Sequence, residues 1–110
     1  MRGDVVESPR VVVRFEAGGV ARVVCSGEFD LDSVGLLAQA CDGEAADAEP
    51  LVVDVAGLEF ADSSYLSVLV RLRRTRKLVL GGPVPDQFRR LLEMTGVLPL
   101  FEIRDSTGTL

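Results

Sequence analysis

Two adjacent hydroxyls, Ser63 and Ser64, stand directly after Asp62 and just ahead of an apolar series at Leu66, Val68, Leu69 and Leu72. At the start of a helix such serines cap free backbone N–H groups. The same N–H groups and the helix dipole also favour an anion such as a phosphoryl group. The spacing alone leaves both readings open. A hydroxyl that acts as a nucleophile needs a base beside it, and the 110 residues include no histidine and a single lysine, Lys77. There is no Gly-x-Ser-x-Gly elbow and no glycine-rich phosphate loop of the Walker type. Asp30 and Asp62 form a carboxylate pair that could do acid–base work, but no substrate pocket is signalled. The chain therefore reads as a protein that is docked or modified, not as an enzyme, and it implies no cofactor and no metal.

The elements that must hold these hydroxyls alternate between strands and helices. Val11–Phe15 and Val20–Cys25 flank Ala17-Gly18-Gly19 as an antiparallel hairpin. Val34, Leu37, Ala38 and Cys41 recur at helical spacing and predict a helix over Ser33–Cys41. Leu51–Val55 is a β-branched apolar run that reads as an interior strand, with Gly57 supplying the bend after it. Beyond the serines periodicity is ambiguous. Leu66, Val68, Val70 and Leu72 alternate as a strand would, while Tyr65, Val68, Leu69 and Leu72 share one helical face. A helix from Ser63 to about Arg73 is preferred because a parallel strand at Leu78–Leu80 has to be reached by a crossover. A third helix runs from Pro85 to Thr95, with Phe88, Leu91, Leu92 and Thr95 inward and Gly96 as its cap, and Pro99–Ile103 closes as a strand. Val53, Val55, Leu37, Leu69, Leu80, Leu91 and Leu92 are the expected core. The fold class is α/β, with a mixed, mostly parallel sheet of four to five strands and crossover helices.

Charge and composition narrow the partners. Net charge is −5, and ten acidic residues between Val23 and Val70 (Glu28, Asp30, Asp32, Asp42, Glu44, Asp47, Glu49, Asp54, Glu59, Asp62) face no lysine or arginine in that span. Arg71, Arg73, Arg74, Arg76 and Lys77 then form a compact basic run. It reads either as helix-end chemistry complementing a dipole or as a partner-binding patch. A small basic cluster on an acidic chain makes a poor nucleic-acid binder, so another protein is the expected partner. No apolar segment reaches the roughly 20 residues that span a bilayer, and the start MRGDVVESPR has no hydrophobic signal core. A cytoplasmic protein with no membrane partner is expected, its Cys25 and Cys41 buried as reduced thiols.

Four pieces of the chain, in order, resemble the STAS domain of bacterial anti-sigma factor antagonists. Gly27-Glu28-Phe29-Asp30 is similar to the family's turn after its second strand, and LVVDVAGLEFADSS, residues 51–64, is similar to its strand leading into Asp-Ser-Ser-Gly. The apolar element after Ser64 and the stretch 78–103 are similar to the rest, so the resemblance runs from about Val11 to Ile103. It implies one STAS domain over residues 1–110, with an extension at 1–9 and a tail at 104–110. Ser63 matches the family's phosphoacceptor, and Ser64 is the second candidate. Asp30 is then expected near the acceptor, although it also reads as a cap on the helix that follows.

The implied mechanism is that Asp30, Asp62, Ser63, Ser64, Tyr65 and Ser67 bind an anti-sigma factor that is a serine kinase. Phosphorylation of Ser63 ends that docking, a serine phosphatase restores it, and sigma-factor-dependent transcription responds. The alternative is a diverged STAS scaffold or sensor module without a phosphorylation cycle. Three departures from the family pattern stand out. Tyr65 replaces the glycine after the serines, where it would either block a partner or touch it. The span from Asp62 to Leu78 is about one helical turn short, which predicts a short or tightly turned docking helix. The residues after Asp105 do not supply the family's final helix, which would leave an apolar face open to weak self-association.

Overall fold

The computed structural model describes residues 8–105. Most of the expected extension, and all but the start of the tail where the final helix is expected to be missing, lie outside the described residues. Strand β1 (Arg10–Phe15) turns through Ala17–Gly19 into β2 (Ala21–Phe29). There follow α1 (Gly35–Asp42), β3 (Leu51–Ala61), α2 (Ser63–Thr75), β4 (Leu78–Gly82), α3 (Asp86–Met94), a short 3-10 turn at Leu98–Leu100 and β5 (Glu102–Asp105). The turn between β1 and β2 needs Gly18 and Gly19, whose φ angles of 81° and 82° are ones that side chains disfavour. β1 pairs antiparallel with β2, and every later pair is parallel. The fold is the mixed, mostly parallel sheet that the sequence predicts.

Strand order follows chain order, β1 to β5. Each right-handed crossover therefore steps one strand in the same direction, and the three helices share one face of the sheet. Alternation along β2 records that arrangement: Ala21, Val23, Cys25 and Phe29 are fully buried while Arg22, Val24, Ser26 and Glu28 are half-buried. The covered side packs these residues with Leu37, Val53, Val55, Tyr65, Leu69, Leu72, Leu80, Phe88 and Leu92 in one core. On the other side Arg22 bridges Glu16 at 3.0 Å and Asp54 at 3.2 Å. Its guanidinium lies over Gly81, where a Cβ would come within 2.9 Å of Nη1 and would make the arginine tip shift.

Several boundaries differ from the sequence reading, each for a local reason. β3 does not end at Val55. It runs on to Ala61 through two register shifts against β2, and Gly57 sits in the pairing because a Cβ there would approach Cys25 O at 3.2 Å. Gly27, Glu28 and Phe29 are consequently strand, paired with Leu58, Phe60 and Ala61, and only Asp30 leaves the sheet. α1 starts at Gly35 instead of Ser33, since residues 31–34 form a tight turn on the Asp30 carbonyl. Pro85 is the N-cap of α3 and not its first helical residue. β5 starts only at Glu102 because Leu98–Leu100 coils into a 3-10 turn.

Helix α2 settles the ambiguous period in favour of 3.6 residues, burying Tyr65, Leu66, Leu69 and Leu72. Its 13 residues make it the longest described helix, against 8 in α1 and 9 in α3. The short span is absorbed by the connection, Arg76-Lys77 alone, so of the two expected forms, a short helix or a tight turn, the structure takes the tight turn. α3 buries only Phe88 and Leu92. Leu91 is half-buried and Thr95 exposed, because those two lie on the flank of an axis set by residues four apart. Gly96, with φ 76°, closes α3 as expected: its N–H reaches Glu93 O at 3.1 Å and that of Val97 reaches Leu92 O at 3.1 Å.

Candidate functional site

Phe29 and Ala61 are partners at the carboxyl ends of the adjacent parallel strands β2 and β3. Asp30 and Asp62 are the next residues, so two aspartates leave the sheet side by side. Such strand ends are where open α/β sheets place their sites. The β3 end is also clamped from α3: the Gln87 side-chain amide donates to Ala61 O at 2.9 Å and accepts from Ala61 N at 3.0 Å. That doubled bond imitates a strand partner, and nothing in the spacing of Gln87 announces it.

Asp62 is the N-cap of α2. Its Oδ1 accepts the Ser64 N–H at 2.9 Å and the Ser64 hydroxyl through a short bond, while Leu66 N–H reaches Asp62 O at 3.3 Å. Ser64 is thereby half-buried and its hydroxyl committed. Ser63, the first helical residue, is exposed, and its hydroxyl makes no hydrogen bond among the described residues. Ser67 is exposed one turn on, its hydroxyl donating to Ser63 O at 2.9 Å. Of the two serines, then, Ser64 is held by the capping carboxylate of Asp62, and Ser63 presents an oxygen with no bond among the described residues at a helix N-terminus.

The first turn is closed on itself. Asp30 Oδ1 accepts from Asp32 N at 3.0 Å, Ser33 N at 3.2 Å and Ser33 Oγ at 3.1 Å, and the Ser33 hydroxyl in turn accepts the Asp30 N–H at 2.9 Å. Asp30 is thus a turn-forming cap and a neighbour of the Asp62 turn at once. Leu31 in this turn is 76% exposed and Phe60, just before the second, 40% exposed, so apolar side chains flank the acidic pair. Among the described residues no three ligating side chains converge to hold a metal, and no helix is long and apolar enough to cross a membrane.

A model of the STAS domain, Mlab type, matches residues 13–101. The chain belongs to the STAS-domain family. Among solved structures it is similar to an anti-sigma factor antagonist from Mycobacterium paratuberculosis, at 30% identity and TM-score 0.72, over 87% of this chain and 85% of that one. It also resembles the anti-sigma factor antagonist SpoIIAA in its unphosphorylated form, at 17% identity and TM-score 0.69, over 89% and 90% of the two chains. The Bacillus cell fate determinant SpoIIAA in its phosphorylated form matches at 14% identity and TM-score 0.64, over 89% and 94%. These last two bear on the fold alone. No curated protein sequence matches the chain.

In this STAS domain Tyr65 is not where the sequence reading puts it. It is fully buried, its ring edge-on to Phe29 and Phe88, so it neither blocks a partner nor touches one. The cause is helical geometry: three residues past the cap, the side chain lies on the same face as Leu69 and Leu72. Cys25 and Cys41 are buried and free, as expected. Burial pushes their thiols up to about 12 and about 11, and holds the Tyr65 phenol well above its ordinary value.

The basic run of the STAS domain ties its parts together. Arg76 donates to Cys41 O, Ala45 O and Ala48 O, capping the end of α1 and the loop after it. Arg73 donates to Leu100 O at 2.7 Å, and Arg71 pairs with Asp42 at 2.9 Å. Helix-end chemistry therefore accounts for Arg76, at the end of a different helix, whereas Arg71 makes an ion pair and Arg73 holds the 3-10 turn.

Proposed function

We propose that this STAS domain is an anti-sigma factor antagonist whose docking is ended by phosphorylation of Ser63. The observation that carries the reading is the free, exposed Ser63 hydroxyl beside a Ser64 hydroxyl held by Asp62. Asp30, Asp62, Ser64 and Ser67 frame it, with Leu31 and Phe60 as the apolar rim of the docking surface. The partner is an anti-sigma factor that is also a serine kinase, and a serine phosphatase resets the switch. The chain itself supplies no catalysis and needs no cofactor.

The switch is electrostatic. A phosphoryl group brings about −1.5 to −2 charges to a turn that already carries Asp62 and adjoins Asp30. At an effective dielectric near 20, a unit charge about 6 Å from a like charge costs roughly 2 to 3 kcal/mol, and a partner lined to meet the unmodified turn loses about two orders of magnitude in affinity. The fold itself is spared. The N–H groups of the first turn of α2 and its dipole offset part of the new charge, so the modification acts on docking and not on folding.

Incubation with the kinase of its own cell and ATP tests this reading. The wild type takes one phosphate, Ser63→Ala takes none and Ser64→Ala keeps it. Labelling that survives Ser63→Ala, or a wild type that takes no phosphate and binds no anti-sigma factor, would replace this reading with that of an unmodified scaffold or sensor. Ser63→Asp weakens docking only in part, because one carboxylate carries less charge and fewer acceptor oxygens than a phosphate.

A further inference from the structure

Tyr65 stands two residues after Ser63, and its ring reaches both other segments that frame the site. The ring centroid lies 5.3 Å from that of Phe29 at an interplanar angle of 61°, and 5.5 Å from that of Phe88 at 89°. Phe29 is the residue before Asp30. Phe88 follows Gln87, whose amide holds both backbone groups of Ala61, the residue before Asp62. All three rings are fully buried. One ring is therefore wedged among the end of β2, the first turn of α2 and the first turn of α3.

Interiors are packed as densely as organic crystals, so a ring in edge contact on two sides cannot shift without its neighbours. The Tyr65 hydroxyl adds nothing to this hold. It is buried without a hydrogen-bond partner among the described residues. A buried hydroxyl left unpaired opposes folding, so what the residue contributes is its ring.

We infer that Tyr65 is the positioning residue of the serine turn: its ring sets Ser63 relative to Asp30 and α3, so that a change at Ser63 is transmitted to both. The biological use of this coupling rests on the reading of Ser63 as the switch, but the coupling itself is measured without any kinase.

Ser63→Asp serves as the perturbation, and backbone amide chemical shifts of the full chain are the readout. With Tyr65 present, Ser63→Asp moves the amides of Phe88–Leu92 as well as those of residues 31–33. In the Tyr65→Leu background the α3 response falls at least threefold. In Tyr65→Phe it is retained, and the protein melts higher because the unpaired hydroxyl is gone. Should Tyr65→Leu fail to fold, Phe88→Leu breaks the same ring contact from the other side and carries the same expectation. Lowered melting temperature with an undiminished α3 response in either leucine variant would make Tyr65 a packing residue only and overturn the inference. So would a wild-type background in which α3 does not respond. Phosphate labelling separates the two proposals: a labelled Ser63 with an uncoupled α3 defeats the role of Tyr65 alone, and an unlabelled Ser63 with a coupled α3 defeats the switch alone.

Discussion

The Asp30 turn and the Asp62 turn begin alike and end differently. Each aspartate follows the last residue of a parallel strand, and those last residues, Phe29 and Ala61, are paired. Each carboxylate accepts a backbone N–H and a serine hydroxyl, Ser33 in one turn and Ser64 in the other. The Asp30 turn closes with that exchange, and α1 begins two residues after Ser33. In the Asp62 turn α2 begins at once, and Ser63 stands exposed ahead of Ser64, the serine that the capping carboxylate holds. The difference between the two turns is thus a single extra hydroxyl, placed between the aspartate and the serine it holds, with no hydrogen bond among the described residues.

Phosphate transfer gives the sharpest test of that contrast. Ser63→Ala should lose all incorporation, while Ser33→Ala and Ser64→Ala keep it, as mapped by mass spectrometry of the labelled chain. Incorporation at Ser33 would erase the distinction. A second comparison concerns what lies beneath the turns. Leu37 under α1 and Leu69 under α2 are both fully buried, so each Leu→Ala change should cost about 2 to 5 kcal/mol in urea unfolding. Leu91→Ala, at a half-buried position, should cost less than either. Unequal losses at Leu37 and Leu69 would mean that the two turns do not stand on one core.

Alkali should loosen both turns together. The folded state holds the Cys25 and Cys41 protons more tightly than the unfolded chain, their values standing at about 12 and about 11 against 9.0. Stability is therefore full below about pH 9 and declines as pH rises toward 11 to 12, which unfolding monitored by circular dichroism at stepped pH would register. The caps should matter less. Asp62→Ala and Asp30→Ala should each cost about 1 kcal/mol, in keeping with the loss of a helix or turn cap. Ser63→Ala should be the smallest effect of all, within about 0.5 kcal/mol, because its hydroxyl makes no hydrogen bond among the described residues.

Local pattern made much of this legible. The β-branched run at Leu51–Val55, the glycine turn at Gly18-Gly19 and the cap at Gly96 all depend on residues close in sequence, and each appears near its expected place. Asp62-Ser63-Ser64 was legible as a cap for the same reason, but the spacing did not say that Asp62 caps or which serine its carboxylate holds. That depends on whether the carboxylate reaches forward one residue or two. Tyr65 was placed at the docking surface because it stands where the family has a glycine after the serines, although the helical face it shares with Leu69 and Leu72 turns it inward. Leu91 was misread as core because helical spacing gives a face, whereas burial depends on what lies opposite that face.

By itself the sequence determined the alternation of strands and helices, the absence of any histidine, the segregation of acidic from basic residues, and the placing of a hydroxyl pair at the start of an element. These are properties of composition and of periods of two and 3.6 residues, which act within a few residues of the chain. Tertiary structure alone decided that Asp30 and Asp62 emerge side by side, since that follows from a strand pairing between residues 29 and 61 with two register shifts along the way. It decided that Gln87 anchors the end of β3 and that Arg76 closes α1, both across more than 25 residues of chain. It also decided that one serine is held and the other free. A hydroxyl has no role until the atoms around it have taken their places, and the carboxylate of Asp62 took Ser64.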